Sequence, residues 1–200
     1  MADSLPDWLG TVVDAVADER VAMVPHALPS AIVDALRSEA LARDVLGEAH
    51  DAAVGLARRA DASVRGDRIA WLDEASASAP ERAYFSMASA LREALNRELM
   101  TGLVEVEAHY AIYPPGAAYA RHRDRFHDDD ARVISVILYL NAQWTALDGG
   151  ALRIHLPDSA MEVFPTGGML VAFASERFEH EVLPARRERI AITGWFRRRA

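Results

Sequence analysis

The first hundred residues carry apolar side chains at helical spacing in three stretches. In each stretch the apolar positions recur every three or four residues, which places them on one face of a helix. One stretch covers residues 8–19, and a second begins near Ser30, which we expect to be its N-cap. The third begins at Ser78 with Pro80 in its first turn, a combination typical of a helix start. We therefore predict three amphipathic helices whose apolar faces belong to the core.

Residues 48–68, between the second and third predicted helices, show only weak periodicity. The segment is rich in alanine, aspartate and arginine, and no face of a helix or strand would be consistently apolar. A connection of this length inside a compact domain is usually functional or disordered. We therefore expect a long mobile loop at 48–68, while the rest of residues 1–100 forms a helical support.

From residue 103 onward the pattern changes to short alternating or wholly apolar runs. Turns rich in glycine, proline, asparagine and aspartate separate them, as in antiparallel sheets. The predicted strands cover residues 104–113, 132–140, 151–156, 161–164, 169–173 and 190–196. Six short strands at this spacing favour a jelly roll, also called a double-stranded β-helix. We predict an α+β fold in a single domain, residues 1–200, with the helices on one outer face of a β core at 101–200.

Two residue types are missing from the composition, and their absence removes several chemistries. The chain has no cysteine, which excludes thiolate nucleophiles, disulfides and cysteine-ligated metals. All 22 basic residues are arginine, so no lysine is available for a Schiff base, a phosphate-binding loop or an anion anchor. Any metal must therefore be held by histidine, carboxylate or main-chain oxygen, and arginine is the cation available to anchor an anionic ligand.

Charge is distributed unevenly between the two halves of the chain. The formal net charge of -8 argues against a nucleic-acid partner. Residues 1–100 have 10 arginines against 17 acidic residues, whereas residues 101–200 have 12 against 13, so the second half repels a small anion less. The N-terminus is acidic and no run approaches 18 apolar residues. We therefore expect no signal peptide, no membrane span and a cytoplasmic location.

Two histidines and one aspartate in the second half could hold a metal ion. His122 and Asp124 lie two residues apart in an extended segment, so both side chains point to one face. His180, at the start of another predicted strand, is the third candidate. Two histidines and one carboxylate leave three metal positions open, the arrangement of non-haem Fe(II) oxygenases. The pattern favours iron over zinc, which normally takes a closed tetrahedral site or three ligands and a water.

The last predicted strand places an arginine on an inward face. Along this strand Arg189, Thr193 and Trp195 share one face, and the opposite face is apolar. If the apolar face meets the helices, the arginine points into the β core, where its burial requires an anion. That anion is either a carboxylate of the protein or a bound dicarboxylate that the guanidinium grips with two parallel hydrogen bonds.

Five segments of the second half together resemble a known enzyme family. They cover residues 113–124, 137–144, 148–154, 180–185 and 189–196. Over roughly residues 65–197 the sequence resembles the 2-oxoglutarate and Fe(II)-dependent prolyl 4-hydroxylase superfamily, and most of all its oxygen-sensing prolyl hydroxylase branch and the bacterial relatives of that branch. Collagen-type members anchor 2-oxoglutarate with lysine, so this lysine-free chain resembles the arginine-anchored branch.

The resemblance implies metal and cosubstrate roles for the matching residues. His122, Asp124 and His180 would bind the iron, and Arg189 would hold the distal carboxylate of 2-oxoglutarate. Around that cosubstrate the resemblance places a hydrogen-bonding Tyr139, a supporting Thr193, a wall residue Ile137, a flanking Trp195, and Tyr113 near the metal-chelating end.

The same resemblance implies the substrate side of the site. Arg132 would lie near the substrate groove, and Asp67 with the preceding loop would close over a peptide. The segment between Tyr113 and His122 is shorter than in animal members and the loop sequence differs from theirs, so the substrate stays open.

The resemblance also implies a reaction. We expect a dioxygenase that uses Fe(II), 2-oxoglutarate and O2, with ascorbate as a further ligand, to hydroxylate an unactivated C–H bond. The expected substrate is a prolyl residue of a protein or peptide, hydroxylated at position 4. Two alternatives stay open: a hydroxylase of a free amino acid or other small metabolite, and a non-catalytic metal-binding jelly-roll module.

Overall fold

The computed structural model describes residues 7–54, 59–61, 64–124 and 131–199. The α-helices in these residues are α1 (Asp7–Ala17), α2 (Ser30–Val45) and α3 (Ala79–Leu99). Short 3-10 turns occupy Glu74–Ser76 and Ala146–Asp148. The three helices predicted from apolar spacing are thereby confirmed.

The starts of α3 and α2 show where capping signals succeed and fail. At α3 the Ser78 hydroxyl accepts a hydrogen bond from the Glu81 amide at 3.3 Å, and the Glu81 carboxylate accepts one from the Ser78 amide at 2.9 Å. This reciprocal pair is a capping box and confirms the predicted start. The predicted cap at Ser30 is wrong, because Ser30 is already helical and Pro29 takes the cap position without a side-chain hydrogen bond.

The strands agree closely with the alternating pattern of the sequence. In chain order they are β1 (Ala22–Val24), β2 (His50–Asp51), β3 (Ala53–Val54), β4 (Arg59–Ala60), β5 (Arg68–Trp71), β6 (Leu103–Tyr113), β7 (Tyr119–His122), β8 (Arg132–Tyr139), β9 (Leu152–His155), β10 (Ala160–Val163), β11 (Leu170–Ala174), β12 (His180–Val182) and β13 (Arg189–Arg198). The six predicted strands correspond to β6, β8, β9, β10, β11 and β13, with their ends shifted by one or two residues.

Two antiparallel sheets form the β core. The major sheet has the strand order β1-β11-β8-β13-β6-β5-β2, and the minor sheet has the order β10-β9-β12-β7. Strands that are distant in sequence therefore pair within each sheet, as a jelly roll requires. The α+β fold with a double-stranded β-helix is confirmed.

Two apolar clusters lie on opposite sides of the major sheet. One cluster joins the helices to the outer face of this sheet and includes Leu91 of α3 together with Ile190 and Ile192 of β13. The other fills the space between the two sheets and includes Ala191 of β13 with Phe173 of β11. Successive residues of β13 thus alternate between the helix side and the barrel interior. This alternation confirms the inward face predicted for Arg189.

The segment 48–68 departs from the prediction of a long loop. β2 pairs with β5, which in turn pairs with β6, so these residues extend the major sheet by two strands. β3 and β4 pair with each other as a separate two-stranded sheet. The prediction failed because strands of two residues are too short to show a period. Residues 55–58, 62 and 63, which also belong to the predicted loop, lie outside the described residues.

None of the helices in the described ranges combines the length and the apolar character needed to span a membrane.

Candidate active site

Three side chains from the minor sheet and its edge converge at one end of the barrel. β7 ends at His122 and β12 begins at His180, and the antiparallel register places these two histidines directly opposite each other. Asp124 follows β7 by two residues. One ligand atom from each of the three lies within 4.8 Å of the others, and Asp124 carboxylate oxygens are 3.6 Å from the Nε2 atom of each histidine. The residues predicted as a metal triad are therefore brought together.

Hydrogen bonds behind the triad orient its three side chains. His122 Nδ1 lies 2.8 Å from the Ala120 carbonyl oxygen, and His180 Nδ1 lies 3.2 Å from that of Phe178. Because a carbonyl oxygen only accepts, each Nδ1 carries the proton and each Nε2 lone pair is free for a metal. The Ser135 hydroxyl donates to Asp124 Oδ2 at 2.6 Å and fixes the carboxylate.

The electrostatics of the triad favour an ionised aspartate and a neutral histidine. Burial alone would raise the pKa of the Asp124 carboxyl, but the neighbouring imidazoles of His180 and His122 and the hydrogen bond from Ser135 outweigh burial and hold the pKa well below its ordinary value. Burial lowers the pKa of His180 despite the nearby Asp124 charge. Both residues are thus in the protonation states that ligate a metal cation.

Arg189 lies deep in the barrel interior and has one hydrogen bond but no carboxylate partner among the described residues. Its side chain is 2% exposed, and its Nε donates to the Gly150 carbonyl at 2.9 Å. The guanidinium carbon is 5.1 Å from the ring centres of both Tyr113 and Tyr139. No carboxylate of the described residues forms an ion pair with it, so the protein-carboxylate alternative is excluded for this part of the chain.

The hydroxyl of Tyr139 provides a second unsatisfied group next to Arg189. It is fully buried and has no hydrogen-bond partner among the described residues. Burial raises the pKa of Tyr139, although the nearby Arg189 charge acts in the opposite direction, so the hydroxyl stays protonated and can donate. Tyr139 is not itself among the residues that line the cavity, but a buried cation and a buried donor side by side are suited to receive a carboxylate.

The other cosubstrate residues predicted from the resemblance also line this cavity. Its wall includes Tyr113, Ile137, Thr193 and Trp195 together with the three residues of the triad and Arg189. Leu152 and Val182, which the sequence analysis did not single out, complete the apolar part of the wall. Both belong to the minor sheet and face the barrel interior, so strand alternation alone could have identified them.

Arg132 lies in the wall of the cavity and is held there by two contacts. Its guanidinium lies over the Trp195 ring, 3.6 Å from the ring centre, and it forms an ion pair with Glu107. The structure thus places this predicted substrate-side residue on the cavity wall with a fixed position.

Asp67 does not line the cavity, but it fixes a residue that does. Its buried carboxylate accepts two hydrogen bonds from Arg65, at 2.7 and 2.9 Å. Burial alone would lower the pKa of the Arg65 guanidinium, but the hydrogen bonds and charge of Asp67 raise it. Arg65 reaches the cavity wall and lies over the ring of Tyr119, 4.8 Å from its centre. The structure therefore places Asp67 behind Arg65, and a role of Asp67 towards a peptide stays a prediction.

Tyr119 and His109 are two further aromatic residues that the sequence analysis did not assign to the site. Tyr119 stacks on the His122 ring with 3.6 Å between centres. His109 lies behind the wall, with its Nε2 atom 3.3 Å from Arg65. Burial and the charges of Arg65 and Arg132 lower the pKa of His109 well below its ordinary value, so the ring is neutral. The alternating pattern of β6 predicts that His109 is buried, but its contact with Arg65 depends on tertiary pairing.

Comparison with known proteins agrees with this geometry. Residues 108–197 match the family model of the 2OG-Fe(II) oxygenase superfamily, in which 2OG stands for 2-oxoglutarate. The crystal structure of a Pseudomonas putida prolyl-4-hydroxylase is 45% identical, with a TM-score of 0.87 over 96% of this chain and 100% of the other. The chain belongs to this superfamily. The oxygenase is also similar, at 26% identity, to a Trichoplax adhaerens prolyl hydroxylase solved in complex with a hypoxia inducible factor peptide, with a TM-score of 0.87 over 96% and 89% of the two chains.

Curated relatives of the oxygenase are longer proteins. The hypoxia-inducible factor prolyl hydroxylase of Caenorhabditis elegans is 35% identical over 144 residues, which cover 66% of this chain and 20% of the relative. The human Egl nine homolog 1 is 34% identical over 152 residues, 35% of its length. The oxygenase therefore spans between a fifth and about a third of these two relatives.

The residues of the oxygenase fit the groups that its superfamily uses. Fe(II), 2-oxoglutarate and O2 are implied by the family. The triad presents two imidazole nitrogens and one carboxylate, the donor set of a non-haem iron site. The unpaired guanidinium edge of Arg189 and the orphaned Tyr139 hydroxyl fit the distal carboxylate of 2-oxoglutarate.

Proposed function

We propose that this oxygenase hydroxylates a prolyl residue of a protein or peptide at position 4, with Fe(II), 2-oxoglutarate and O2. The observation that carries the proposal is the convergence of His122, Asp124 and His180 beside the buried, unpaired Arg189. The full-length similarity to a bacterial prolyl-4-hydroxylase supports the choice of proline. The proposed domain comprises residues 1–200, and the proposed location is the cytoplasm.

The triad would hold Fe(II) through His122 Nε2, His180 Nε2 and the Asp124 carboxylate. Iron and O2 supply the oxidising power for attack on an unactivated C–H bond, while 2-oxoglutarate supplies two of the electrons and becomes succinate and CO2. The Nδ1 hydrogen bonds to the Ala120 and Phe178 carbonyls orient the two imidazoles, and the Ser135 hydroxyl holds the Asp124 carboxylate. Ascorbate, as an added reductant that keeps the iron ferrous, is part of the proposal.

Arg189 and Tyr139 orient 2-oxoglutarate from its distal end. The guanidinium neutralises the distal carboxylate, the Tyr139 hydroxyl donates to it, and Thr193 supports it from the next inward position of β13. Ile137, Leu152 and Val182 form the apolar part of the wall and would exclude water from the methylene carbons of 2-oxoglutarate. Tyr113 and Trp195 line the same cavity, and we assign Tyr113 to the metal-chelating end of 2-oxoglutarate and Trp195 to the flank of the site.

The substrate enters past Arg132 and Arg65. Both guanidinium groups are locked by carboxylates, Glu107 for Arg132 and Asp67 for Arg65, so the mouth of the cavity is rigid on two sides. We assign Arg132 to direct contact with the peptide and Asp67 to the positioning of Arg65.

Turnover with defined peptides tests the proposal. Purified protein with Fe(II), 2-oxoglutarate and ascorbate is incubated with proline-containing peptides, and succinate and a mass increase of about 16 Da on the peptide are measured together. We expect equal amounts of both products, and their loss in a His180→Ala variant. His50→Ala, at an exposed position of β2, is the matched control and retains activity.

Two results would contradict the proposal. Full turnover by His180→Ala would contradict the assignment of His180 as an iron ligand. Hydroxylation of free proline or another small metabolite, with no peptide modified, would show that the protein is a metabolite hydroxylase that uses the same site.

A further inference from the structure

A second concavity of about 670 Å³ lies beside the active site, where the chain before β1 meets the turns of the minor sheet. Its floor is apolar and is formed by Val21, Leu156, Met161 and Phe178. These side chains pack against the cluster between the two sheets, so the floor is the uncovered end of the barrel interior. We refer to this concavity as the arginine groove because of its rim.

The rim of the arginine groove is strongly cationic for a chain of net charge -8. The described residues that line it include four arginines, one histidine and two glutamates. The arginines are Arg20, Arg121, Arg123 and Arg177, and the acids are Glu19 and Glu179. A local excess of positive charge on an acidic protein selects for anionic partners and against basic ones.

The ion pairs of the rim leave this excess accessible. Three of the four rim arginines are paired within the described residues: Arg177 with Glu19 at 2.9 Å, Arg20 with Asp18 at 2.8 Å, and Arg121 with Glu179. All of these side chains are more than a third exposed. Exposed pairs of this kind are weak, so a stronger or multivalent anion can compete for the arginine. Arg123 is exposed and has no ion pair within 4.0 Å among the described residues, although its charge helps to lower the pKa of Glu179.

The arginine groove is continuous with the active site. Arg123 lines both concavities, and Arg121 and Arg123 lie on either side of the triad residue His122. On the opposite strand, the Phe178 carbonyl that holds His180 Nδ1 belongs to a residue of the groove floor. A chain whose reactive residue lies at the triad therefore has the groove within reach of the residues that flank it.

We propose that the arginine groove binds acidic residues of the polypeptide substrate on one side of the residue that is hydroxylated, an inference that rests on the proposed function. The apolar floor takes aliphatic or aromatic side chains of the same segment, and the rim takes its carboxylates. The size of the groove and its combination of apolar floor and cationic rim fit a peptide segment better than a small free anion.

Peptide binding to the holoenzyme tests this inference. The protein is loaded with Fe(II) and 2-oxoglutarate without oxygen, and binding of labelled 15-residue peptides with one central proline is followed by fluorescence anisotropy. One probe carries three aspartates before the proline, a second carries them after it, and a third carries asparagines instead. We expect one acidic probe to bind about tenfold more tightly than the asparagine probe and to lose this preference at high salt.

The variant Arg177→Glu and the control Arg97→Glu show whether peptide binding depends on the arginine groove or only on the net charge of the protein. Arg97 is similarly exposed and is likewise paired with one glutamate, but it lies on α3. We expect Arg177→Glu to weaken binding of the preferred acidic probe about fivefold to thirtyfold, and to leave the asparagine probe unchanged. Arg97→Glu should change neither.

Each result distinguishes this inference from the proposed function. Equal binding of aspartate and asparagine probes, or a preference that survives Arg177→Glu, overturns the groove assignment even if proline is hydroxylated. A preference that Arg177→Glu abolishes, in a protein that modifies no peptide when oxygen is added, supports the groove and contradicts prolyl hydroxylation.

Discussion

Replacement of Arg189 by lysine measures how much of the affinity for 2-oxoglutarate depends on the guanidinium shape. The side chain is 2% exposed and its Nε already donates to the Gly150 carbonyl, which leaves its two terminal nitrogens for the cosubstrate. A lysine keeps the positive charge but presents one nitrogen at one place, so it cannot serve both Gly150 and a bidentate carboxylate.

The magnitude follows from the hydrogen bonds that are lost. Arg189→Lys removes at least one charge-assisted hydrogen bond in a buried site, which is worth about 1.5–3 kcal/mol. This free energy corresponds to an increase of about 10-fold to 150-fold in the KM for 2-oxoglutarate. Because the contact is far from the reacting carbon, kcat at saturating 2-oxoglutarate should change much less.

The assay is the initial rate of succinate formation as 2-oxoglutarate is varied at fixed peptide. Arg187→Lys is the matched control, because Arg187 lies two residues away but pairs with Asp148 outside the cavity. A KM for 2-oxoglutarate that rises less than about threefold in Arg189→Lys would refute the assignment. An equal rise in the KM for the peptide would refute the idea that the effect is confined to the cosubstrate.

Three further predictions concern stability. Asp67→Asn leaves the Arg65 charge buried without its partner and should lower the free energy of unfolding by about 3–5 kcal/mol in urea titrations; a loss below 1 kcal/mol would contradict the positioning role. Burial in the folded protein lowers the pKa of His109. As the pH falls below about 6.5, the His109 imidazole is therefore protonated in the unfolded chain but stays neutral in the folded one. The free energy of unfolding should therefore fall with decreasing pH. His109→Gln should reduce the slope of unfolding free energy against pH by up to about 1.4 kcal/mol per pH unit, and an unchanged slope would show that His109 is not buried in its neutral form. Ser78→Ala removes one half of the capping box and should cost about 1 kcal/mol, measured by thermal unfolding; an unchanged Tm would mean that Glu81 alone suffices.

The parts of the fold that were predictable have signals within a few neighbouring residues. α3 has a capping serine, a proline in the first turn and a long apolar stripe, and its start was predicted correctly. β13 alternates between two environments over ten residues, so both of its faces could be assigned before the structure was known. In each example the information is local and repeats often enough to exceed chance.

The parts that were missed depend on pairing between distant residues. β2 has two residues and becomes a strand only because β5 lies beside it. Arg65 reaches the cavity because Asp67 holds it and because the chain at 65 pairs with Tyr119. The triad residues were identified from residue type and from the family resemblance, but the register that places His180 opposite His122 is a property of the assembled sheet.

The position of Ser135 has a consequence for the lifetime of the protein. Both histidines of the triad belong to the minor sheet, whereas the hydroxyl that fixes Asp124 comes from β8 of the major sheet. The Ser135 hydrogen bond therefore ties the segment after β7 to the major sheet, and a metal ion held by the triad would join the same segment to β7 and β12. Its binding free energy would add to the stability of this end of the barrel. Removal of the metal should then lower the free energy of unfolding and raise the population of opened chains that proteases cleave.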